Sequence, residues 1–244
     1  MPLPPTAVLI SATAEWAVVS RYFSDYAQQS SPLGNWFQAE IKVDGQAESI
    51  LFFHGGWGKI AAAASTQYVI DRWSPTILIN LGTCGGFRGE IELGTIILVE
   101  RTLVYDLVEQ MADPILALAH YTTDLDLNWL AEPYPQSVQR ALLISADRDI
   151  LVDDVDRLMA DFGAVAADWE TAAIAYVARQ HGLRTLILRG VTDLVGGTGD
   201  AYNGHLQVFV DGTERIMTRL LNALPDWLSL INRGVPSTHS SKPA

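Results

Sequence analysis

Asp168 and Glu170, separated by Trp169, form a carboxylate pair at the head of an apolar stretch, and a further acid, Asp193, follows the next apolar run. Thr171 to Gln180 is Ala-rich with apolar residues at helical spacing, and Gly182 is its stop. Thr185 to Val191 has the composition of a buried strand, and with the apolar run Ala164 to Ala167 these pieces make a βαβ-type unit. Ligands of open α/β sheets sit outside the carboxyl ends of the strands. Glu170 and Asp193 are therefore expected at the mouth of one crevice, where positioned carboxyl groups bind polar ligands and move protons. The helix N-terminus beside Glu170 favours its ionised form. Taken singly, Asp168 and Glu170 read better as helix caps and Asp193 as a turn acid, because acids are common at helix starts and strand ends.

The elements that must position these acids can be followed along the chain. Ala7 to Ile10 is a buried strand, and a Ser-Ala-Thr-Ala-Glu loop leads into a helix through Phe23. Phe37 to Val43 and Glu48 to Phe53, with Gly45 between them, form a hairpin. Lys59 to Arg72 is a long Ala-rich helix, and Pro75 announces a strand from Thr76 to Leu81. Glu92 to Val99 is a further strand, which Thr102 to Tyr105 either extends or follows with a new one. Prolines at 114, 133 and 135 mark Asp106 to Pro135 as an irregular excursion with a short helix at Leu125 to Leu130. Ala141 to Ser145 is a strand and Asp153 to Phe162 a helix. Gly196 to Gly204 is a glycine-rich loop, and Leu206 to Leu230 a long helix bent near Pro225. The expected fold is a single α/β domain over residues 1–234, a central mixed sheet flanked by helices, with a disordered polar tail over 235–244.

Charge and composition narrow the function classes. The chain has 244 residues and a formal net charge of −12, with no basic run, which argues against nucleic acid and acidic membrane surfaces as partners. Its apolar runs are shorter than a membrane span and its start lacks the pattern of a secretory signal, so a soluble, cytoplasmic protein is expected. Cys84 is the single cysteine, which excludes an internal disulfide. The five histidines lack metal-ligand spacing, and neither a metal nor an organic cofactor is expected. His54 is placed as a structural or exposed residue. Ser11 and Ser145 lack a nucleophile elbow, which removes serine hydrolysis.

Gly82-Thr83-Cys84-Gly85-Gly86 follows a buried strand. Glycines there either let a ligand approach backbone N–H groups or form a tight turn. The spacing matches neither a dinucleotide fingerprint nor a P-loop.

Five segments in order resemble the purine nucleoside phosphorylase and nucleosidase superfamily, and within it the 5′-methylthioadenosine/S-adenosylhomocysteine nucleosidases. They are Gly56-Trp57-Gly58-Lys59-Ile60-Ala61-Ala62-Ala63, Ile79 to Phe87 (INLGTCGGF), Leu143 to Asp147 (LISAD), Ala167 to Ala175 (ADWETAAIA) and Leu188 to Asp193 (LRGVTD). The resemblance implies a partly barrel-like sheet of the nucleoside phosphorylase/hydrolase kind and hydrolysis of an N-glycosidic bond. It makes Asp193 the acid that protonates purine N7, Glu170 the acceptor for the ribose hydroxyls, and Glu15 the base that activates water, whereas an ungapped match puts Trp16 at that position. Thr83, Cys84 and Gly85 would approach the sugar, while Asp149, Ile150 and Thr192 would border the base. Asp168 and Trp169 complete the implied binding set. Trp169 replaces the usual methionine under the ribose, and Asp149 falls where an aromatic residue often stacks on adenine, so other purine nucleosides, futalosine among them, stay open as substrates.

Asn80 stands where phosphorylases commonly carry an arginine, which favours water over phosphate as nucleophile. Arg88 and Arg148 leave phosphorolysis as the alternative, and a nucleoside-binding protein without turnover is the second. The resemblance further implies a homodimer; the irregular segment Asp106 to Tyr121, with Leu107, Met111, Ile115 and Leu118, is either its surface or an ordinary covering loop.

Overall fold

Two strands that run longer than the sequence pattern predicts organise the molecule. The computed structural model describes residues 5–196 and 206–234; most of the expected Gly196 to Gly204 loop and the tail 235–244 lie outside the described residues. In chain order, β1 (Thr6–Ile10) and α1 (Thr13–Tyr22) are followed by β2 (Gln29–Ser31), β3 (Gly34–Val43) and β4 (Gln46–His54). Then come α2 (Lys59–Trp73), β5 (Ile77–Phe87), β6 (Ile96–Val104), α3 (Pro114–His120), β7 (Thr123–Asp124) and β8 (Gln139–Ser145). The chain continues as α4 (Val152–Phe162), β9 (Ala166–Asp168), α5 (Thr171–Gln180), β10 (Arg184–Val195) and α6 (Leu206–Gly234).

The strands form one mixed sheet that closes on itself. β10 pairs in parallel with β5 and antiparallel with β6, β6 and β8 are parallel, β8 and β9 are parallel, and β9 returns antiparallel to β5. Those five strands make a closed ring, and a cluster that includes Cys84, Ile97, Val99, Leu143, Ala166, Ile187 and Val191 draws on all of them. β1, β4, β3 and β2 extend the sheet outward from β5. β1 is buried along its whole length between two parallel neighbours, which is why its sequence shows an apolar run instead of alternation. One helical layer, α1 with α6, shares a core with the sheet through Trp16, Val19, Met217, Leu220 and Trp227. The layer of α2 with α5 is packed by Ala62, Val69, Trp73, Ala173 and Ile174.

Several expectations are corrected. Gly82 to Gly86 is not a loop: β5 continues through it to Phe87, because β10 and β9 supply partners along that stretch. Asp193 does not follow its strand but lies within β10, next to a register shift between Val191 and Asp193. Such a bulge re-aims side chains, and it sits where β10 lines the site. β6 begins at Ile96 and is one strand to Val104. Leu125 to Leu130 is not helical; the helix of that excursion is α3, started by Pro114 at its first turn and capped by Asp113, whose carboxylate accepts from the Ile115 N–H at 2.8 Å.

Candidate active site

At the carboxyl ends of β1 and β9 and along the late parts of β5 and β10 lies a cavity of about 570 Å³. It gathers all eleven residues singled out by sequence: Glu15, Thr83, Cys84, Gly85, Asp149, Ile150, Asp168, Trp169, Glu170, Thr192 and Asp193. Ala12, Trp57, Ala167, Val195 and Phe209 complete its lining.

Glu15 stands in the first turn of α1 and is 3% exposed. Its Oε2 accepts from the Ala12 N–H at 3.1 Å, and its Oε1 accepts from the Thr83 N–H at 2.6 Å and the Thr83 hydroxyl at 2.9 Å. The early start of α1 at Thr13 thus brings Glu15 into the cavity. Trp16 is turned into the core, stacked on His54 with ring centroids 5.3 Å apart. His54 is half-buried, and burial pulls its imidazole below its ordinary range against the raising effect of a hydrogen bond with the Ser11 backbone. It is a packing residue, as its sequence context suggests.

Asp168 and Glu170 divide the work that spacing alone left undivided. Both Asp168 oxygens are occupied by protein donors. Oδ1 accepts from the Ser145 hydroxyl at 2.6 Å and the Glu170 and Thr171 N–H groups, while Oδ2 accepts from Arg189 Nε at 2.9 Å and from the Thr171 hydroxyl. The Ser145 oxygen in turn accepts from the Ala172 N–H. This network ties β8, β9, α5 and β10 together beneath the cavity, and Ser145 is wholly buried in it instead of facing a ligand. The neighbouring Glu170 side chain accepts at Oε1 from the Gly58 N–H at 3.0 Å. Gly58 takes φ 88°, a conformation that suits glycine and turns its N–H toward the carboxylate.

The expectation that Glu170 stays ionised is corrected. Burial, then the charges of Asp168 and Glu15, push its carboxyl up to about 8, against the opposing pull of Arg189 and the Gly58 N–H. The helix N-terminus is outweighed because desolvation of a carboxylate costs more than a helix dipole returns. The Cys84 thiol is likewise held well above its usual value, first by burial and then by Asp168, with Asp193 and Glu15 adding to it, which leaves it an uncharged wall residue.

Arg189, in the buried network beneath the cavity, was missed by the sequence reasoning. Its guanidinium is fully buried; burial alone would weaken its charge, but Asp168, Glu15 and Glu170 outweigh that and hold it protonated. Nη1 and Nη2 have no hydrogen-bond partner among the described residues. Nη1 occupies the space where a side chain at Gly82 would begin, 1.7 Å from an ideal Cβ whose next neighbours include Glu15 Oε1 at 2.8 Å. One of its two unpaired donors, Nη1, therefore lies near the Glu15 carboxylate. The available signal was an arginine inside the apolar run TLILRGV, opposite a glycine in the adjacent strand. Trp57 was also missed: an exposed indole flanked by Gly56 and Gly58, tilted against Trp169 with centroids 5.0 Å apart.

Asp193 lines the cavity from β10, and the Thr192 hydroxyl donates to its Oδ1 at 3.0 Å. Arg148 is committed to Asp154 at 2.7 Å, and Arg88 donates to the Gly196 carbonyl. Among the described residues no lysine or arginine lines the cavity, and no group of three or more histidine, cysteine or acidic side chains is placed to hold a metal ion. No described helix is long and apolar enough to cross a membrane.

Comparison with known proteins agrees with this geometry. The family model of the phosphorylase superfamily matches residues 31–224. A 5′-methylthioadenosine/S-adenosylhomocysteine nucleosidase from Actinobacillus succinogenes is 29% identical over 186 residues, 69% of this chain and 76% of that protein. Among solved structures, the 5′-methylthioadenosine nucleosidase of Arabidopsis thaliana superposes with a TM-score of 0.73 at 21% identity, covering 92% of this chain and 96% of its own. A futalosine hydrolase mutant of Helicobacter pylori gives 0.75 at 13% identity, covering 92% and 100%. At these identities the structural likeness establishes a shared fold.

Proposed function

The chain belongs to the phosphorylase superfamily, and from that membership and a cavity whose charged lining residues are all acids we infer that it is a purine nucleosidase of the 5′-methylthioadenosine/S-adenosylhomocysteine type. The observation that carries this reading is Glu15, a buried carboxylate at the cavity wall held by the Ala12 N–H and by Thr83, near the unpaired Arg189 Nη1. That arrangement suits a water molecule as nucleophile. A cavity whose described lining carries several acids and no basic side chain repels phosphate, so hydrolysis is favoured over phosphorolysis.

The reaction follows from these placements. Asp193 gives a proton to purine N7, which lets the base depart as the C1′–N9 bond breaks. Glu170, in its charged form, accepts the ribose hydroxyls and stabilises the positive charge that develops on the sugar. Glu15 takes a proton from the attacking water, whose oxygen forms the new bond at C1′. Thr83 and Gly85 border the sugar, and Thr192, Asp149 and Ile150 border the base. Asp168 acts through its neighbours: with Ser145, Thr171 and Arg189 it fixes the strand ends from which Glu170 and Asp193 project.

We further assign the protein to the cytoplasm and to a homodimer built on the excursion that contains α3, where Val108, Met111, Ile115 and Leu116 are 68–99% exposed. Leu118, named for that surface from sequence, instead packs inward against the cluster of Leu103 and Tyr105.

Purified protein supplied with methylthioadenosine, adenosylhomocysteine, adenosine, inosine and futalosine should release base from the first two in phosphate-free buffer. Asp193→Asn and Glu15→Gln should each lower kcat by ~10²–10⁴-fold while binding is largely retained. Near-wild-type turnover in either variant would remove that residue from its role, and release that depends on added phosphate would make the enzyme a phosphorylase.

A further inference from the structure

Two of the motif segments carry charged residues for which the reaction has no use: Lys59 after Gly56-Trp57-Gly58, and Asp147 at the end of Leu143 to Asp147. Neither lines the cavity. They meet at the start of α2, where helix geometry leaves the first N–H groups without partners inside the helix. Gly58, the residue before the helix, has no side chain with which to cap it. Its N–H instead donates to Glu170 Oε1 at 3.0 Å, and the next one, from Lys59, donates to Asp147 Oδ1 at 2.7 Å. Two adjacent peptide groups thus hold one carboxylate each, Glu170 from beyond β9 and Asp147 from beyond β8.

Further contacts fix Asp147 in place. Its own N–H donates to Asp106 Oδ2 at 3.1 Å, while Lys59 Nζ binds Asp106 Oδ1 and lies 3.8 Å from Asp147 Oδ2. Lys59, Asp106 and Asp147 therefore close a ring that pins the head of α2 to the chain beyond β6 and β8. Asp147 Oδ1 also lies 3.2 Å from the position a Cβ would take on Gly58, so it covers the peptide that Glu170 uses. Gly58 stands at φ 88°, and a glycine is conformationally free, so the direction of its N–H depends on what holds the residues beside it.

We propose that Asp147 is a positioning residue for the reaction: by holding the Lys59 N–H, with Lys59 and Asp106 fixing it in turn, it keeps the Gly58 N–H on Glu170 and so orients the carboxylate that receives the ribose hydroxyls. The proposal rests on the nucleosidase reading for what Glu170 binds. It has a consequence in pH. Burial, then Asp168 of β9 and Glu15 of α1, push the Glu170 carboxyl up, and Arg189 of β10 and the Gly58 N–H oppose them. The cation at the head of α2, Lys59, is engaged by Asp106. Losing the Gly58 N–H therefore raises Glu170 further.

The test measures kcat/KM for methylthioadenosine from pH 6 to 9 in wild type, Asp147→Ala and Asp147→Asn. Asparagine keeps an oxygen for the Lys59 N–H and removes the charge. Asp147→Ala should lower kcat/KM at pH 7 about tenfold, and its rising limb should move above that of wild type, whereas Asp147→Asn should stay close to wild type in both. In ¹⁵N-glycine-labelled protein, the Gly58 amide signal should follow the ionisation of Glu170 in wild type and Asp147→Asn, and cease to follow it in Asp147→Ala. A structural role alone would lower the melting temperature and leave the limb where it is. An unmoved limb in Asp147→Ala, a Gly58 signal that still titrates there, or equal losses in the two variants would overturn the proposal. If wild type cleaves no nucleoside, the hydrolytic reading fails, while the Gly58 titration still decides whether Asp147 holds the contact.

Discussion

At the scale of single residues, the chemistry depends on one group being out of its ordinary range. Glu170 is pushed up to about 8 by burial and by the charges of Asp168 and Glu15, so the ligand-free protein holds it largely protonated at neutral pH. The proposed role requires the anion, and kcat/KM should therefore climb with pH through a limb near 8; a flat profile from pH 6 to 9 would remove Glu170 from ribose binding. The same shift is linked to stability. Because the folded pKa lies above the unfolded value, the folded protein binds the proton more tightly, so this contribution is fully present below about 4.5, is lost as pH rises, and levels off above about 8. Glu170→Gln should flatten that loss, melting higher than wild type at pH 8.5 and losing the advantage toward pH 5, while its turnover falls sharply. Thermal melts across this range check the sign, and equal pH dependence in the two proteins would contradict it.

At the scale of elements, the site depends on two paired strands, one of which carries glycine where a side chain would be in the way. Arg189 on β10 reaches across Gly82 on β5, and an added methyl group there would meet Nη1 at 1.7 Å and Glu15 Oε1 at 2.8 Å. Gly82→Ala should destabilise the fold by ~1–3 kcal/mol, seen as a lower denaturation midpoint, and should depress turnover because Glu15 and Arg189 are displaced together. A variant with wild-type stability and rate would show that this contact is not needed. This also explains what could be seen in the sequence. The helices α2, α4 and α5 and the strands β1 and β8 were legible because each is local and strongly patterned. The course of β5 through Gly82-Thr83-Cys84-Gly85-Gly86 was not, since its strand character comes from β10 and β9, distant in the chain. The cavity residues were found through motif order. Arg189 and Trp57 escaped because their significance is a relation across strands and loops: a guanidinium opposite a glycine, and an indole against a second indole.

At the scale of the whole molecule, the closed ring of β5, β6, β8, β9 and β10 gives the acids a rigid frame, and apolar side chains around α3 are left uncovered. Met111 is 99% and Ile115 74% exposed. Replacing both with glutamate should halve the particle mass toward the 26.7 kDa of one chain in light scattering, with little change in melting; a wild-type protein that already runs at that mass would rule out the dimer. The central claim, however, is water attack at the anomeric carbon. Its most direct test is turnover of methylthioadenosine in phosphate-free buffer made with ¹⁸O-water, with both products followed by mass spectrometry. The account predicts stoichiometric adenine and a free methylthio sugar carrying one ¹⁸O at its anomeric carbon; no adenine, or adenine released only after phosphate is added with an unlabelled sugar phosphate as co-product, would contradict it.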